Sequence, residues 1–316
     1  MNIFFIVKNR TFGSAILRGI QVSRELNNQG FQSSVIKHEE INFNTKNAIF
    51  IWVKEFDKNL ISKLSDNYHI YDFDDNYIYQ RESIKELIES KVLDHMLVNN
   101  NYMKSEIIEQ NKISPDNISI IHHHWDPRVS TATKENQNNL TFGYLGSVAS
   151  LAHTDNFLHY KTLSKQHKIT FYDTENGEDV TNLVNAGKSI IVNRNPEAMG
   201  QLKINFNCHI SIRKNNTPES LYKTSAKVVT AGALDHNIIT TYEQATKDIL
   251  PADYPFILKN TDLESVSKML NLIKKDYNNK RVLWNKGLEI MSNIKQEYTI
   301  QNIVQKYKNI FSNRLL

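Results

Sequence analysis

Short apolar runs that alternate with amphipathic stretches constrain this chain more than any other feature. "NIFFIV" (residues 2–7) is a continuous apolar run of strand length, the pattern of a strand buried on both faces. After "KNRTFG", the stretch "SAILRGIQVSRELNNQG" sets Ile16, Leu17, Ile20 and Leu26 near helical spacing and closes on Gly30. "FQSSVI" (31–36) reads as the next strand. Strand, helix and strand within about 35 residues form a βαβ unit, and right-handed crossover makes the two strands parallel.

The alternation continues through "AIFIWV" (48–53), "HIYDF" (69–73), "HMLVNN" and "NISIIHHH", with helical stretches between them. Residues 126–139, "DPRVSTATKENQNN", are polar, open on Asp-Pro and read as a linker. A second series follows: "LTFGYLGS" (140–147), "KITFYD" (168–173), "SIIVNR" (189–194), "CHISIR" (208–213), "NIITTY" (237–242) and "PFILKN" (255–260). The last 55 or so residues read as mostly helical. The expected fold class is α/β, with two Rossmann-like domains. The expected boundaries are 1–135 and 136–316, with the final helix either staying in the second domain or returning to the first.

The chain has 316 residues, enough to bury a large core without covalent staples. Its single cysteine, Cys208, excludes an internal disulfide and points to a reducing compartment. The N-terminal apolar run is too short for a secretion signal, and no run approaches the roughly 20 apolar residues of a membrane span. A cytoplasmic location is expected. The formal charge of +4 is spread along the chain, with no arm suited to nucleic acid. It suits an anionic substrate or the inner face of an acidic membrane.

One stretch concentrates cations at an expected helix start. In "RKNNTPESLYKTSAKVVTAGALDHNIITT" (213–241), Thr217 can cap, Pro218 suits the first helical position and Glu219 suits the positive end of the dipole. Lys223 and Lys227 are four apart and would share a face of a helix running to about Ala231. Arg213 ends the preceding strand, and ligands of open α/β sheets sit outside the carboxyl ends of strands. A diphosphate would gain from all three cations. A solvated lysine face explains the same pair without a ligand. Thr240 and Thr241 end a strand, where they either meet phosphate oxygens or cap the helix after Glu243.

Three further stretches carry candidates. "YDFDDNY" (71–77) puts Asp72, Asp74 and Asp75 at or just past a strand end; Asp74 or Asp75 fits a general base, and helix capping is the alternative. "HHHWDP" (122–127) lacks metal-ligand spacing, because neighbouring side chains on a strand point to opposite faces. His122 or His124 fits a ligand-facing role, and Trp125 fits packing between domains. Gly146-Ser147, at the end of "FGYLGS", lets backbone amides approach an oxyanion.

Taken together, "YKTSAKVVTAGALDHNIITT", the following "EQATKDILP", the opening strand–loop–helix–strand, "MLVNNNYMKSEII…ISIIHHHWDP" and "LTFGYLGS" resemble glycosyltransferases of the GT-B architecture, in particular the group with a Glu-x7-Glu signature. The likeness spans most of the chain as a pattern. With the small-residue run aligned, Glu219 falls at the first signature Glu and Lys227 at the second. That departure leaves the donor and the stereochemical outcome open.

The resemblance implies two domains facing across a cleft, with an acceptor-binding first domain and a second domain that binds a nucleotide sugar. It implies glycosyl transfer to a glycan or lipid-linked acceptor in bacterial surface polysaccharide synthesis, with peripheral membrane contact as an option. No metal and no cofactor beyond the donor itself are expected. The donor contacts it implies are Gly146, Ser147, Arg213, Glu219, Lys223, Thr224, Lys227, Thr240 and Thr241, with Asp74, Asp75 or His124 as base. A sugar-nucleotide epimerase of the same architecture and a non-catalytic binding protein are the alternative readings.

Overall fold

A computed structural model describes residues 1–74, 81–131, 139–152, 157–213, 217–223 and 226–315. The chain divides into two compact units. The first comprises Met1–His124, Thr217–Thr224 and Tyr298–Leu316, and the second Trp125–Asn216 and Ser225–Glu297.

The first unit is built on strands β1 (Asn2–Ile6), β2 (Gln32–Ile36), β3 (Ile49–Val53), β4 (Tyr68–Asp72), β5 (His95–Val98) and β6 (Ile118–Ile120). They form one parallel sheet in the order β2-β1-β3-β4-β5-β6. β3 is buried along its whole length, as its unbroken apolar run requires of a central parallel strand. The first crossover is a π-helical turn, Ala15–Ile20, that runs on into α1 (Gln21–Asn28). Three more helices follow: α2 (Lys58–Lys63), α3 (Arg81–Glu89) and α4 (Asn101–Asn111). Asp57 caps α2 by accepting from the Asn59 and Leu60 amides, and Asn100 caps α4 by accepting from that of Met103.

The second unit carries β7 (Ser130–Thr131), β8 (Phe142–Gly146), β9 (Thr170–Asp173), β10 (Glu178–Asp179), β11 (Lys203–Ile204), β12 (Cys208–Ser211), β13 (Asn237–Thr241) and β14 (Ile257–Leu258). Its main sheet runs β10-β9-β8-β12-β13-β14, parallel except for β10. β7 and β11 form a separate small pair. The helices that follow α4 in the chain are α5 (Val148–Ala152), α6 (Phe157–His167), α7 (Thr181–Ala186), α8 (Ala198–Gln201), α9 (Pro218–Tyr222), α10 (Ala226–Ala233), α11 (Gln244–Lys247), α12 (Leu263–Asn278), α13 (Val282–Glu297) and α14 (Ile300–Leu315). Among the described residues no helix is long and apolar enough to cross a membrane.

Two expectations are overturned. Residues 189–194 are not a strand. They form an exposed loop with Ile191 85 % accessible, because the edge of β9 is already taken by the antiparallel β10, and β-branched residues without a partner strand gain nothing from extension.

The helix expected from Pro218 to about Ala231 is two helices. α9 stops at Tyr222, whose side chain is buried and whose hydroxyl donates to Glu106. The carbonyls of Leu221 and Tyr222 accept from Asn100 Nδ2 (3.0 Å) and Asn99 Nδ2 (3.4 Å). Lys223 and Lys227 therefore share no helix face, and α9 belongs to the first unit. So does α14, whose Ile303, Val304, Tyr307 and Phe311 pack with Ile3, Phe5, Val22 and Leu26. The small-residue run 230–233 also has a packing reason: a Cβ on Gly232 would lie 2.9 Å from the Met291 carbonyl of α13.

The second core holds a buried imidazole pair, with His209 Nε2 and His236 Nδ1 3.1 Å apart. Burial holds both below the ordinary 6.5, His236 at about 4 against the pull of Asp235, and His209 well below with His236 and Lys227 adding to the effect. Below pH 6.5 the unfolded chain protonates these groups and the folded chain does not. Stability present at pH 7 is therefore lost as pH falls from 6.5 toward 4. His236 alone contributes about 2 kcal/mol of that loss between pH 7 and pH 5. Urea unfolding at the two pH values measures it, and equal stability at both would show that the pair takes up protons without strain.

Candidate functional site

Each sheet carries a polar cluster where its strands end. In the first unit, β3 runs into Lys54 and β4 into Asp74, and both residues take left-handed backbone conformations (φ 67° and 46°) although neither is glycine. Such conformations are uncommon outside glycine, less so for aspartate than for lysine, and Asn47, Lys91, Lys112, Lys168, Asp235 and Arg281 share them. The two side chains meet, with Lys54 Nζ 3.4 Å from Asp74 Oδ2. His123, just past β6, places Nε2 3.0 Å from Asp74 Oδ1. Asn99, past β5, donates from Nδ2 to the Asp74 carbonyl. Burial works to raise the Asp74 carboxyl, but Lys54 and the His123 hydrogen bond outweigh it and hold the group well below the usual carboxylate range. Asp74 is a fixed negative charge.

Beneath it lies a second buried pair. Arg18, carried inward by the π-helical turn, donates from Nε to both Asp72 oxygens (2.8 and 2.6 Å) and from Nη1 to the Ile121 carbonyl (2.9 Å). Tyr307 donates to Asp72 Oδ2 at 3.3 Å, and the Asp74 amide donates to Asp72 Oδ1 at 3.2 Å. Three buried polar atoms around this turn have no hydrogen-bond partner among the described residues: Arg18 Nη2, Asn99 Oδ1 and His123 Nδ1. Each such group costs about 1–3 kcal/mol. Because His123 Nε2 faces a carboxylate, it carries the proton, and Nδ1 is left with the lone pair.

In the second unit the chain changes direction across the sheet between β8 and β12, the place where open α/β sheets bind ligands. β8 ends on Gly146-Ser147 and β12 leads to Arg213. Lys227 lies against the former: its Nζ is 3.8 Å from the centroid of the Tyr144 ring, and a Cβ on Gly146 would come within 2.7 Å of that Nζ. Gly146 thus leaves the room that Lys227 occupies. Arg213 Nη1 is 3.2 Å from Glu243 Oε2, and Glu243 Oε1 accepts from the Thr241 hydroxyl at 3.1 Å. Ser147 Oγ accepts from the Ser150 amide at 3.2 Å.

Several expected residues are placed otherwise. Lys223 is separated from Lys227 by the helix break. Thr240 and Thr241 are buried, and their hydroxyls are turned to the Thr241 carbonyl and to Glu243. His124 is buried against Gln21 Oε1 at 2.6 Å, and His122 stands edge-on to Tyr298. Trp125 belongs to the second unit and donates to the Lys295 carbonyl at 3.3 Å. Asp75 and Thr224 lie outside the described residues, as does the side chain of Glu219. No group of three His, Cys, Asp or Glu among the described residues is arranged to hold a metal.

Lys54, Asn99, His123, Arg18 and Glu243 were not singled out from sequence. Lys54 and Asn99 each directly follow an apolar strand, a signal that was available. For Arg18 and Glu243 no local signal exists.

No protein-family model matches the chain, and no curated protein matches it in sequence. Its likeness is to solved structures. A glycosyltransferase from Rickettsia africae superposes with a TM-score of 0.67 at 15 % identity, covering 99 % of this chain and 98 % of that one. HepE from Anabaena, in complex with UDP-glucose, gives 0.64 at 11 % identity, covering 99 % and 100 %. WaaG, a glycosyltransferase involved in lipopolysaccharide biosynthesis, gives 0.60 at 9 % identity, covering 98 % and 99 %. By fold, this is a GT-B protein: two parallel-sheet domains of six strands each.

Proposed function

We propose that this protein is a glycosyltransferase that moves a glycosyl group from a nucleotide-activated sugar to a hydroxyl of a glycan or lipid-linked acceptor, in the making of a bacterial surface polysaccharide. The observation that carries the reading is Lys227 packed against Gly146 at the end of β8, with Arg213, paired to Glu243, past the end of the neighbouring β12 at the switch point of the second sheet, in a chain that matches HepE end to end. The second unit holds the nucleotide diphosphate. Its two cations stabilise the charge that develops on the leaving phosphate.

The first unit supplies the base. Asp74, held ionised by its neighbours, is a poor proton acceptor; it fixes the His123 tautomer, and Nδ1 takes the proton of the acceptor hydroxyl. The freed oxygen bonds to the anomeric carbon as that carbon's bond to the diphosphate breaks. The nucleoside diphosphate leaves with the electron pair.

Incubation with a panel of nucleotide sugars tests the reading. Transfer to an added acceptor supports it, whereas an epimerised free donor or binding without turnover rejects it. Arg213→Ala and Lys227→Ala are each expected to weaken nucleoside diphosphate binding by about 10- to 100-fold, in line with the loss of a charge-assisted contact. Calorimetry that finds both affinities unchanged would remove the donor site.

A further inference from the structure

We infer that Glu175 selects the nucleobase of the donor and that this base is guanine; the inference rests on the donor site proposed for the second unit. A cavity of about 520 Å³ opens near the carboxyl ends of β8 and β9, lined by Ala149, Ser150, Glu175, Val192 and Arg194. Gly146 and Asp173 are register partners at those two strand ends, and β12, which leads to Arg213, is the other neighbour of β8. From β9 to β12 is two strand spacings, roughly 10 Å. That span accommodates a nucleoside with its base in the cavity and its phosphates at Gly146, Lys227 and Arg213.

The walls are held in place by named contacts. Asn176 ties down the exposed loop, donating from Nδ2 to the Ile191 carbonyl (2.8 Å) and accepting at Oδ1 from the Asn193 amide (2.7 Å). The Asn195 amide donates to the Glu175 carbonyl at 3.0 Å. Asp173 accepts from the Val148 amide (2.8 Å) and the Asn176 amide (3.0 Å), which joins the start of α5 to the Glu175 turn. Val192 gives the cavity an apolar wall and Arg194 a planar cation.

The Glu175 carboxylate forms an ion pair with Arg194 at 3.9 Å, too long for a hydrogen bond, and accepts no hydrogen bond among the described residues. It presents two acceptor oxygens side by side. Guanine matches both, because N1–H and the N2 amino group are adjacent donors. Uracil and thymine offer one N–H between two carbonyls, and a carbonyl facing the second carboxylate oxygen is repelled. Adenine and cytosine set a single amino group beside an acceptor ring nitrogen. The UDP-glucose held by HepE does not decide the base here, since at 11 % identity the likeness is one of fold.

Calorimetric titration of the full chain with GDP, UDP, dTDP, ADP, CMP and inorganic diphosphate is the test. GDP is expected to bind about tenfold tighter than the other nucleotides or better, as a site built for specific donors rejects bases that lack them. Glu175→Gln is expected to erase that preference while leaving diphosphate affinity and melting temperature unchanged. UDP binding as tightly as GDP, or an unaltered ranking in Glu175→Gln, overturns the guanine assignment and leaves the donor site standing. Failure of every nucleotide and of diphosphate to bind overturns the donor site itself, and this inference with it.

Discussion

Asp74→Asn and His123→Gln are each expected to lower kcat by about 100- to 10,000-fold, the usual contribution of a positioned general base, with nucleotide affinity left nearly unchanged. The asparagine keeps the shape of Asp74 but offers His123 Nε2–H a weaker, neutral acceptor, and its own amide can bind the other tautomer. Steady-state kinetics with the nucleotide sugar that turns over in the panel, set beside the nucleotide affinity and urea unfolding of each variant, separate this role from a structural one. A His123→Gln enzyme that kept the wild-type kcat would show that the base lies elsewhere.

The second large effect is on stability. Asp72→Ala is expected to cost about 3–5 kcal/mol, because it leaves Arg18 charged and without its carboxylate in the interior. Both partners are essentially inaccessible, at 2 % and 0 %. Burial works against the Arg18 charge, but the attraction and hydrogen bonding of Asp72 outweigh it and hold the guanidinium above its ordinary range. The same carboxylate receives Tyr307 of α14, so its loss also loosens the returning helix. An apolar replacement of both partners, Arg18→Met with Asp72→Leu, should recover most of the loss, since buried ion pairs give little net stability over packed hydrocarbon. Urea unfolding of the three proteins measures this. A loss below about 1 kcal/mol for Asp72→Ala would mean that the pair is hydrated and not dry.

Much of the architecture was readable because a parallel sheet buries both faces of its central strands and so leaves continuous apolar runs. β1, β3, β8 and β13 stand out for that reason. Residues 189–194 carry the same signature and misled, because strand formation needs a neighbour as well as a sequence, and β10 had taken the position. The break after Tyr222 was hidden for a related reason: the side chains of Asn99 and Asn100, more than a hundred residues earlier, take the carbonyls on which the helix would have continued.

The site divides in the same way. Arg213, Gly146 and Asp74 lie at strand ends or just past them, so the rule that ligands gather there makes them candidates without coordinates, whereas Lys227 stands in α10 and reaches Gly146 only in the fold. The run of three histidines posed a choice that spacing alone did not decide. The flanking members are held by Gln21 and Tyr298, and the middle one meets Asp74. Sequence by itself determined the periodicities, and with them two successive parallel α/β sheets and the ends where charge collects, because those depend on neighbours near in the chain. Only the tertiary structure decided which charges pair, which histidine carries a free lone pair, and that α9 and α14 return to the first sheet, because each depends on residues far apart in sequence competing for the same hydrogen bond or buried surface.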